Sequence, residues 1–317
     1  MAEVILITGA GGFIGGHLIK VLLAKGVPAS ALLLADTQRF DPPAGAKAEV
    51  GDIAQPAFIR RLLEHGIKSV YALAAKLTSD AEADFGQGLQ VNVLGLIHFL
   101  EALRNLRQRP RFVYPSSIAS FGGTLPETVD DSMAHFPRTS YGSHKAIAEL
   151  LINDYTRKGF VDGRVLRLPV VLTRPGAPST VVSDRVASII REPLRGQDVV
   201  CPLDPATRIP VASVQRVAQA LVAIHDLPAS AFGDTRAMNL PSLSVTIGEL
   251  IAAVERYRGR RPLGAITVRP DPRLQAIADD WPKRFVSERA SRHGITSDAS
   301  IDEVIEHFLH ADEVSST

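Results

Sequence analysis

Short apolar runs alternate with segments of helical periodicity through the first half of this 317-residue chain. The runs are almost continuously apolar, and the segments between them repeat apolar side chains every three or four residues. Strands of this kind are buried on both faces, and strands joined through helices run parallel. The alternation therefore predicts an α/β fold with a parallel sheet covered by helices on both sides. The predicted strands are residues 4–9, 31–36, 48–50, 69–75, 111–117 and 163–171.

The second half of the chain follows a different pattern. Residues 175–210 are irregular and proline-rich, and strand and helix signals return at 211–223 and 238–257. We therefore predict one domain from residues 1–170, to which 211–240 returns. Residues 171–317 are predicted to form mainly a smaller second domain.

Composition excludes several classes of function. Apolar residues make up 45% of the chain, charged residues 22%, and the net charge of +1 gives no reason to expect nucleic acid or an anionic membrane as a partner. No apolar run reaches the length of a membrane span, and the start MAEVILITGAGG lacks the features of a signal peptide. A single cysteine, Cys201, excludes an internal disulfide and a cysteine-based metal site. We expect a soluble, cytoplasmic protein.

A glycine-rich turn joins the first predicted strand to its helix. TGAGGFIG, residues 8–15, spaces Gly9, Gly12 and Gly15 as G-x-x-G-x-x-G. Such glycines let the backbone approach a pyrophosphate closely, and the N–H groups at the start of the helix, here at Phe13 and Ile14, favour an anion. An ordinary tight turn can use the same residues, but the strand before, the helix after and an acid ending the second strand favour a dinucleotide site.

The acid at the end of the second strand selects among cofactors. Asp36 can accept both hydroxyls of an adenosine ribose, and its charge repels a 2′-phosphate, so NAD is favoured over NADP, although Arg39 lies nearby. Asp52 and Ile53, after the third strand, can reach and pack the adenine. Small side chains at the end of the fourth strand leave room for the cofactor; those expected to line its path are Leu73, Ala74 and Ala75.

A second motif, YGSHK, places Tyr141 and Lys145 one helical turn apart. Alone, this pair is typical of any exposed helix. Three stretches together are more specific: TGAGGFIG, then SSIASFG at 116–122, then PRTSYGSHK at 137–145. In order and separation they resemble the extended short-chain dehydrogenase/reductase family, the NAD-dependent epimerases and dehydratases. The resemblance implies a Rossmann-type doubly wound sheet that binds NAD, a smaller C-terminal domain that binds substrate, and a Ser–Tyr–Lys catalytic set.

The chemistry explains why these residue types recur. Removing a hydride from an alcohol carbon requires that the hydroxyl proton also leave, and a Tyr141 phenolate can take it, although an ordinary tyrosine titrates near pH ~10. The Lys145 ammonium and a nicotinamide cation both favour the phenolate. The resemblance also implies that Lys145 binds the nicotinamide ribose and that Ser117, five residues before Gly122, positions the reacting oxygen. Ser116 remains the second candidate for that role and for substrate binding.

Other residues near the motifs have secondary roles. Asn92, in LQVNVLG, matches a family asparagine that holds backbone or water near the active site; alternatively it faces solvent. Pro169, at the end of the sixth strand, is expected beside the cofactor. His144 is interpreted as structural. No metal is predicted, because no metal-ligand spacing is found among the other histidines, which include His17, His65, His98, His225 and His293.

Two departures from the family pattern bear on the substrate. Nucleotide-sugar enzymes usually follow the sixth strand with an arginine, two aromatics and an asparagine, whereas this chain has RLPVV at 167–171. A later R-D-F-V-H-V-D-D-V-A stretch is replaced by RIPVASVQRVA at 208–218, which keeps the arginine but lacks the histidine and both aspartates. Both changes remove polar contacts to a nucleotide sugar.

Several segments instead resemble D-erythronate dehydrogenases within the same family. They are SSIASFGGTLPE at 116–127, ELLINDYTRKGFVDGRVLRLP at 149–169, IIREPLRGQDVVCPL at 189–203 and NLPSLSVTIGE at 239–249. This resemblance implies that NAD oxidises the 2-hydroxyl of a four-carbon sugar acid. A nucleotide-sugar 4-epimerase or related enzyme is the alternative, and a non-enzymatic NAD-sensing protein is a third reading that an intact Ser–Tyr–Lys set disfavours.

A sugar acid requires a cation for its carboxylate, and the planar fork of arginine suits it. Arg174, Arg185 and Arg208 lie in segments expected over the active site, and we expect at least one to bind the carboxylate, although each can equally be a surface residue. A homodimer is also predicted, because two helices carry apolar residues on more than one face. These residues include Leu96, Ile97, Leu100, Ile147, Leu151 and Ile152.

Overall fold

The computed structural model describes residues 3–172 and 181–315. The strands are β1 Val4–Thr8, β2 Leu32–Asp36, β3 Lys47–Val50, β4 Ile67–Ala72, β5 Arg111–Ser117, β6 Thr128–Val129, β7 Asp162–Leu168, β8 Val170–Leu172, β9 Val199–Cys201, β10 Arg208–Ser213, β11 Ala237–Asn239, β12 Leu243–Thr246, β13 Ile266–Val268 and β14 Arg284–Phe285. The helices are α1 Phe13–Ala24, α2 Pro56–Leu63, α3 Thr78–Ala83, α4 Phe85–Leu89, α5 Gly95–Leu106, α6 Ser140–Arg157, α7 Val182–Leu194, α8 Val214–Asp226, α9 Ile247–Glu255, α10 Pro272–Asp279, α11 Glu288–Arg292 and α12 Ile301–Ser315. A π-helical turn, Gln90–Leu94, joins α4 to α5.

A seven-stranded sheet has the order β11-β7-β5-β4-β1-β2-β3. The pairs β1–β2, β2–β3, β1–β4 and β4–β5 are all parallel. From β1 the chain winds outward to β3, and then returns to continue from β4 on the other side of β1. Ligands of such sheets bind at the carboxyl ends of the strands where the winding reverses. The predicted α/β class with a doubly wound parallel sheet is confirmed.

The sheet is held by apolar side chains from strands and helices. Leu6, Val70 and Phe112 are wholly buried and share one cluster with residues of α2, α5 and α6. The rings of Phe99 and Phe112 meet edge to face with centroids 5.6 Å apart. Burying each such side chain contributes about 1.5–3 kcal/mol, so this cluster fixes where the strands end and their loops begin.

The chain divides into two compact units. The first comprises Met1–Ser120, His135–Arg167 and Ala218–Met238. The second comprises Phe121–Ala134, Leu168–Val217 and Asn239–Thr317. The assignment of NAD to residues 1–170 with 211–240, and of substrate to 171–317, stays a prediction.

The second unit contains small sheets of its own. One has the order β12-β10-β8, with β10 antiparallel to β12 and parallel to β8. Pro169 separates β7 from β8, so the predicted single strand 163–171 is two strands in different sheets. Proline has no N–H for a ladder, which explains the break. Within the described ranges, none of the helices combines the length and the apolarity that a bilayer span requires.

Candidate active site

The glycine turn after β1 is as tight as its sequence predicts. Gly9 has φ of 69°, and a Cβ there would lie 2.8 Å from the Ala74 nitrogen. A Cβ on Gly15 would lie 2.4 Å from the Gly9 oxygen, and the Gly12 N–H donates to that oxygen at 3.1 Å. Only glycine allows α1 to begin this close to β1.

The first backbone N–H groups of α1 are available as hydrogen-bond donors at this turn. Phe13 and Ile14 are the first two helical residues, and the first N–H groups of a helix have no partner within it. Backbone donors and the positive end of the helix dipole suit a pyrophosphate, so the turn fits a dinucleotide.

Asp36 ends β2 beside the turn. Its carboxylate accepts from the Gly11 N–H at 3.0 Å and from the Gln38 N–H at 3.3 Å. A Cβ on Gly11 would lie 3.0 Å from the ring of Phe40, which therefore covers the turn. Phe40 was missed by sequence reasoning, because a single aromatic in a polar stretch carries no pattern.

The bend after β3 is held locally. The Asp52 carboxylate accepts from the Ala54 N–H at 2.8 Å. Ile53 is half-buried and packs against the main apolar cluster. Both residues occupy the loop at the carboxyl end of β3, where adenine contacts were predicted.

The loop after β4 runs between the glycine turn and the π-helical turn. Leu73 and Ala74 donate to the backbone oxygen and the hydroxyl of Thr8, at 3.2 and 3.4 Å. Ala75 follows, half-buried. At the far end of the loop, Asn92 accepts from the Lys76 N–H at 2.8 Å and donates to the Lys76 carbonyl at 2.9 Å.

Asn92 also contacts the helix that carries Tyr141. It lies buried in the π-helical turn, a feature found mostly at functional sites. Its amide nitrogen is 3.3 Å from Nδ1 of His144, a buried residue whose pKa is lowered by desolvation. Asn92 thus holds backbone rather than facing solvent, and His144 packs against it.

Tyr141, Lys145 and Ser117 come together at the carboxyl end of β5. Nζ of Lys145 lies 5.4 Å from the centre of the Tyr141 ring and donates to the Pro115 carbonyl at 2.7 Å. Ser117 lies close enough to Tyr141 for its hydroxyl to lower the pKa of the phenol. Nζ of Lys145 also lies 4.2 Å from the centre of the Tyr114 ring.

Gly142 allows this approach, and sequence reasoning missed it. It falls in the first turn of α6, where its N–H donates to the side chain of the N-cap residue Thr139 at 3.0 Å. A Cβ on Gly142 would lie 2.0 Å from the Ala119 oxygen. The glycine inside Y-G-S-H-K could have signalled close packing, because glycine is otherwise unfavourable in helices.

Burial dominates the protonation of both residues of the pair. It raises the pKa of Tyr141 to about 12, an effect that the nearby Ser117 hydroxyl only partly offsets. It lowers the pKa of Lys145 to about 7, against the opposing charge of Glu149. Tyr141 is therefore a neutral phenol at neutral pH in the protein alone, because the loss of hydration outweighs the effect of the Ser117 hydroxyl.

Replacing Lys145 with Met is expected to stabilise the protein below pH ~7. The pKa of Lys145 falls from 10.5 to about 7 on folding, so the unfolded chain binds this proton more tightly. Wild-type stability should therefore rise between pH ~7 and ~10, and the variant should lack that rise. The lowered pKa means that the charged lysine costs roughly 4–5 kcal/mol of stability below pH ~7. Loss of the hydrogen bond to Pro115 offsets about 1–3 kcal/mol of this, so the free energy of unfolding of the variant should be higher by ~2 kcal/mol.

Urea unfolding at about pH 6 and about pH 9 measures this effect. The matched control is Lys68→Met, because Lys68 is exposed on β4. A Lys145→Met protein no more stable than wild type at about pH 6 would contradict the prediction.

Ser116 points away from Ser117. Consecutive residues of a strand face opposite sides of the sheet. The Ser116 hydroxyl is 2% exposed and donates to Glu149 at 2.5 Å. This arrangement favours Ser117 over Ser116 as the residue that meets substrate.

The remaining predicted residues lie elsewhere in the chain. Arg174 is outside the described residues. Arg185, on α7, Arg208, on β10, and Pro169 all belong to the second unit. Arg208 donates to the Ser244 carbonyl at 2.9 Å.

One group in the second unit has side chains that suit a cation. Ligand atoms of Asp298, Glu303 and His307 lie within 4.8 Å of one another. Arg216 already contacts the group, with its guanidinium 3.8 Å from Asp298 and 3.4 Å from Glu303, and Ser213 donates to Asp298 at 2.6 Å. The guanidinium competes with a metal ion, and the absence of a metal stays a prediction.

Comparison with known proteins identifies the family. The NAD dependent epimerase/dehydratase family matches residues 5–239. D-erythronate dehydrogenase from Cupriavidus necator is 40% identical over 316 residues, which cover 96% of this chain and 97% of that protein. D-erythronate dehydrogenase from Haemophilus influenzae is 36% identical over 312 residues, covering 97% of this chain and 99% of that one.

A solved structure shares the fold along the whole chain. It is described as a nucleoside-diphosphate-sugar epimerase from Agrobacterium tumefaciens, is 32% identical, has a TM-score of 0.92, and the match covers 100% of this chain and 96% of the other. With the glycine turn, the Ser–Tyr–Lys arrangement and these similarities together, the chain belongs to the NAD-dependent epimerase/dehydratase family of extended short-chain dehydrogenases/reductases and is an NAD-dependent oxidoreductase.

Proposed function

We propose that this chain oxidises the 2-hydroxyl of a short sugar acid, first of all D-erythronate, to the 2-oxo acid with NAD as the hydride acceptor. The chemistry is supported by the meeting of Ser117, Tyr141 and Lys145. The substrate is supported by similarity to two D-erythronate dehydrogenases along nearly the whole chain.

The first unit offers the residues that would hold NAD, and the bound cofactor would supply the hydride acceptor. The turn Gly9–Gly12–Gly15 and the N–H groups of α1 suit the pyrophosphate. The adenosine would meet Asp36 through its ribose and Asp52 and Ile53 through its base. Leu73, Ala74 and Ala75 would line the path, in a loop that Asn92 fixes through Lys76.

Proton transfer would run through Tyr141. Its phenol lies beside the Ser117 hydroxyl, so both can contact one substrate oxygen. Because burial raises the pKa of Tyr141 to about 12, the phenolate forms only when positive charge beside it favours it. Lys145 supplies part of that charge when it is an ammonium, and its lowered pKa of about 7 makes the supply sensitive to pH.

The carboxylate of the acid would be bound by arginine. Arg174, Arg185 and Arg208 remain the candidates, because a bidentate guanidinium matches a carboxylate. Arg208 is also the residue that nucleotide-sugar enzymes of the family would use for a diphosphate, so it does not distinguish the two substrate classes.

Incubation with NAD and a panel of acids tests the proposal. Oxidation of D-erythronate should yield one NADH and one proton for each 2-oxo acid formed. D-threonate in the same panel measures the preference for configuration at the reacting carbon, C-2, and L-threonate measures the preference at C-3. The rival function, a nucleotide-sugar 4-epimerase, is favoured by the description of the Agrobacterium structure. Conversion of a UDP- or dTDP-sugar without net NADH, and no reaction with the acids, would replace our proposal with that one.

We also propose that two copies of the chain pair through α6. Leu150 is 69% exposed, and Ile147 on the same helix and Leu94 in the π-helical turn are partly exposed. By contrast, Leu100 and Ile152 are buried in the chain's own core. An exposed apolar strip on helices that pack together is the expected face of a two-fold dimer.

Leu150→Glu is expected to shift the protein from dimer to monomer, because a charge at the centre of an apolar interface loses its hydration without gaining a partner. Light scattering at micromolar concentration measures the mass. Val50→Glu, an exposed change on β3, is the control and should remain a dimer. A monomeric wild type would remove the proposal.

A further inference from the structure

Three functional side chains of α6 lie on one stripe. Tyr141, Lys145 and Glu149 are spaced four residues apart, which stacks them along one face of a helix. Lys145 donates to the Pro115 carbonyl and Glu149 accepts from the Ser116 hydroxyl, so this face lies against the end of β5. Sequence reasoning treated the first two as catalytic and gave the third no role.

We propose, building on the function proposed above, that Glu149 is a positioning residue, whose buried carboxylate keeps Lys145 an ammonium and fixes the strand end that carries Ser117.

The carboxylate is enclosed by donors from three elements. Ser116 donates at 2.5 Å from β5, and Arg167 on β7 donates from Nε at 3.0 and 3.1 Å and lies 2.9 Å away through Nη2. Nε2 of His135, in the segment before α6, is 3.2 Å from the carboxylate. Burial raises the pKa of Glu149, but hydrogen bonds from His135 and Arg167 and their charges outweigh it, so the pKa stays below its usual value. Glu149 is therefore an anion at neutral pH.

The Glu149 carboxylate opposes the effect of burial on the pKa of Lys145. Burial strips the Lys145 ammonium of water and favours its neutral form, whereas the charge of Glu149 raises the pKa of Lys145. Without Glu149, the Lys145 ammonium would lose the buried anion one helical turn away, and a buried cation that loses its counter-charge is strongly unfavourable. The titratable and charged groups that face Lys145 or Glu149 from the surrounding elements are Tyr114, His135, Tyr141, His144 with its neighbour Glu82, and Arg167.

The same carboxylate acts on the strand end. Because Ser116 and Ser117 face opposite sides of β5, holding the Ser116 hydroxyl on one side fixes the direction of Ser117 on the other. Ser117 Oγ accepts from the Ala119 N–H at 3.1 Å, and the same hydroxyl lowers the pKa of Tyr141. Glu149 therefore supports both the ammonium and the hydroxyl beside Tyr141 without meeting substrate.

The titration of Lys145 tests this without cofactor or substrate. Lysine side chains labelled with ¹⁵N are followed by NMR against pH, and Lys145→Met assigns the resonance. In Glu149→Gln we expect Lys145 to titrate about one pH unit or more below wild type. In Glu149→Asp, which keeps the charge, most of the difference should be recovered. Glu101→Gln removes another glutamate of the first unit that binds an arginine, Arg104, and should leave the titration unchanged.

A folded Glu149→Gln protein in which Lys145 titrates as in wild type would overturn the inference. Should that variant not fold, Glu149→Gln/Arg167→Met removes both buried charges, a change that proteins often tolerate. Compared with Arg167→Met alone, Lys145 should titrate lower in the double variant, and an equal or higher titration would overturn the inference.

Activity gives a second readout. In the wild type, kcat should fall at high pH as Lys145 loses its proton, which gives the pH profile a descending limb. Glu149→Gln should move that limb to lower pH by about one unit. It should also lower kcat near neutral pH ~10-fold or more. A merely structural glutamate would change stability without moving the limb. Failure of the proposed function is distinguishable: if no sugar acid is oxidised, the titration of Lys145 still decides the role of Glu149.

Discussion

Tyr141→Phe is expected to lower kcat for NADH formation by ~10²–10⁴-fold, because in the proposed mechanism the Tyr141 phenolate takes the substrate proton. In the wild type, Nζ of Lys145 lies 5.4 Å from the centre of the Tyr141 ring. The phenylalanine ring should keep that position. NADH affinity, measured by fluorescence titration, should therefore change little. The effect belongs to the chemical step.

Another tyrosine of the same helix provides the control. Tyr155 is hydrogen-bonded to Glu101, away from Ser117 and Lys145. Tyr155→Phe removes an equivalent hydroxyl and should leave kcat within about twofold of wild type, since hydroxyls outside the site take no part in proton transfer. If Tyr141→Phe behaved like this control, another residue would have to be the base, and the Ser–Tyr–Lys proposal would fail.

The loss of rate should not come from loss of folding. Tyr141 is a neutral phenol in the protein alone, since burial raises its pKa to about 12. Phenylalanine therefore removes one hydroxyl, which lies near Ser117, and no charge. The expected change in the free energy of unfolding is about 1 kcal/mol, far less than the loss in transition-state stabilisation.

Residues fixed by local spacing were predictable from sequence. Gly9, Gly12 and Gly15 follow directly from the strand-turn-helix pattern, and Asp36 from the end of the next strand. The spacing of Tyr141 and Lys145 predicts that they share one face of a helix, whereas their catalytic role was inferred from the resemblance of three stretches to a family. In each case the interacting groups are close in sequence, so their spacing specifies their geometry.

Contacts between distant segments were not predictable in this way. The carboxylate of Glu149 gathers Ser116, His135 and Arg167, which come from segments up to 33 residues away. Periodicity shows only that Glu149 lies on a helix, and a glutamate on a helix is usually exposed. Phe40 over the glycine turn is a similar case.

Element boundaries differed where the backbone is irregular. The strand predicted at 69–75 ends at Ala72, because Leu73 and Ala74 turn to hydrogen-bond Thr8. Between α4 and α5, the π-helical turn Gln90–Leu94 brings Asn92 to the Lys76 backbone. Apolar periodicity averages over a turn and does not reveal one extra residue in it.

Gly142→Ala should have the second large effect, because it forces α6 away from the Ser117 loop. The added methyl would lie 2.0 Å from the Ala119 oxygen and 3.0 Å from Cβ of Pro137. This clash with the Ala119 backbone can be relieved only if the start of α6 moves by about 1 Å. A misplacement of Tyr141 by that distance can lower the rate ~10²-fold. Overpacking should also destabilise the protein by ~1–3 kcal/mol, partly offset by the higher helix propensity of alanine.

Gly86→Ala separates crowding from helix propensity. Gly86 is likewise in the first turn of a helix, α4, but its added methyl would meet nothing closer than the Asp84 carboxylate at 3.5 Å. That variant should keep the wild-type kcat and unfold at the same temperature or higher. Gly142→Ala should lower both kcat and the unfolding temperature. Its affinity for NADH should fall less than kcat, because we propose that the cofactor binds largely through the glycine turn. A Gly142→Ala protein with wild-type kcat would mean that the tyrosine helix tolerates movement, and that the alignment of Tyr141 with Ser117 does not limit the reaction.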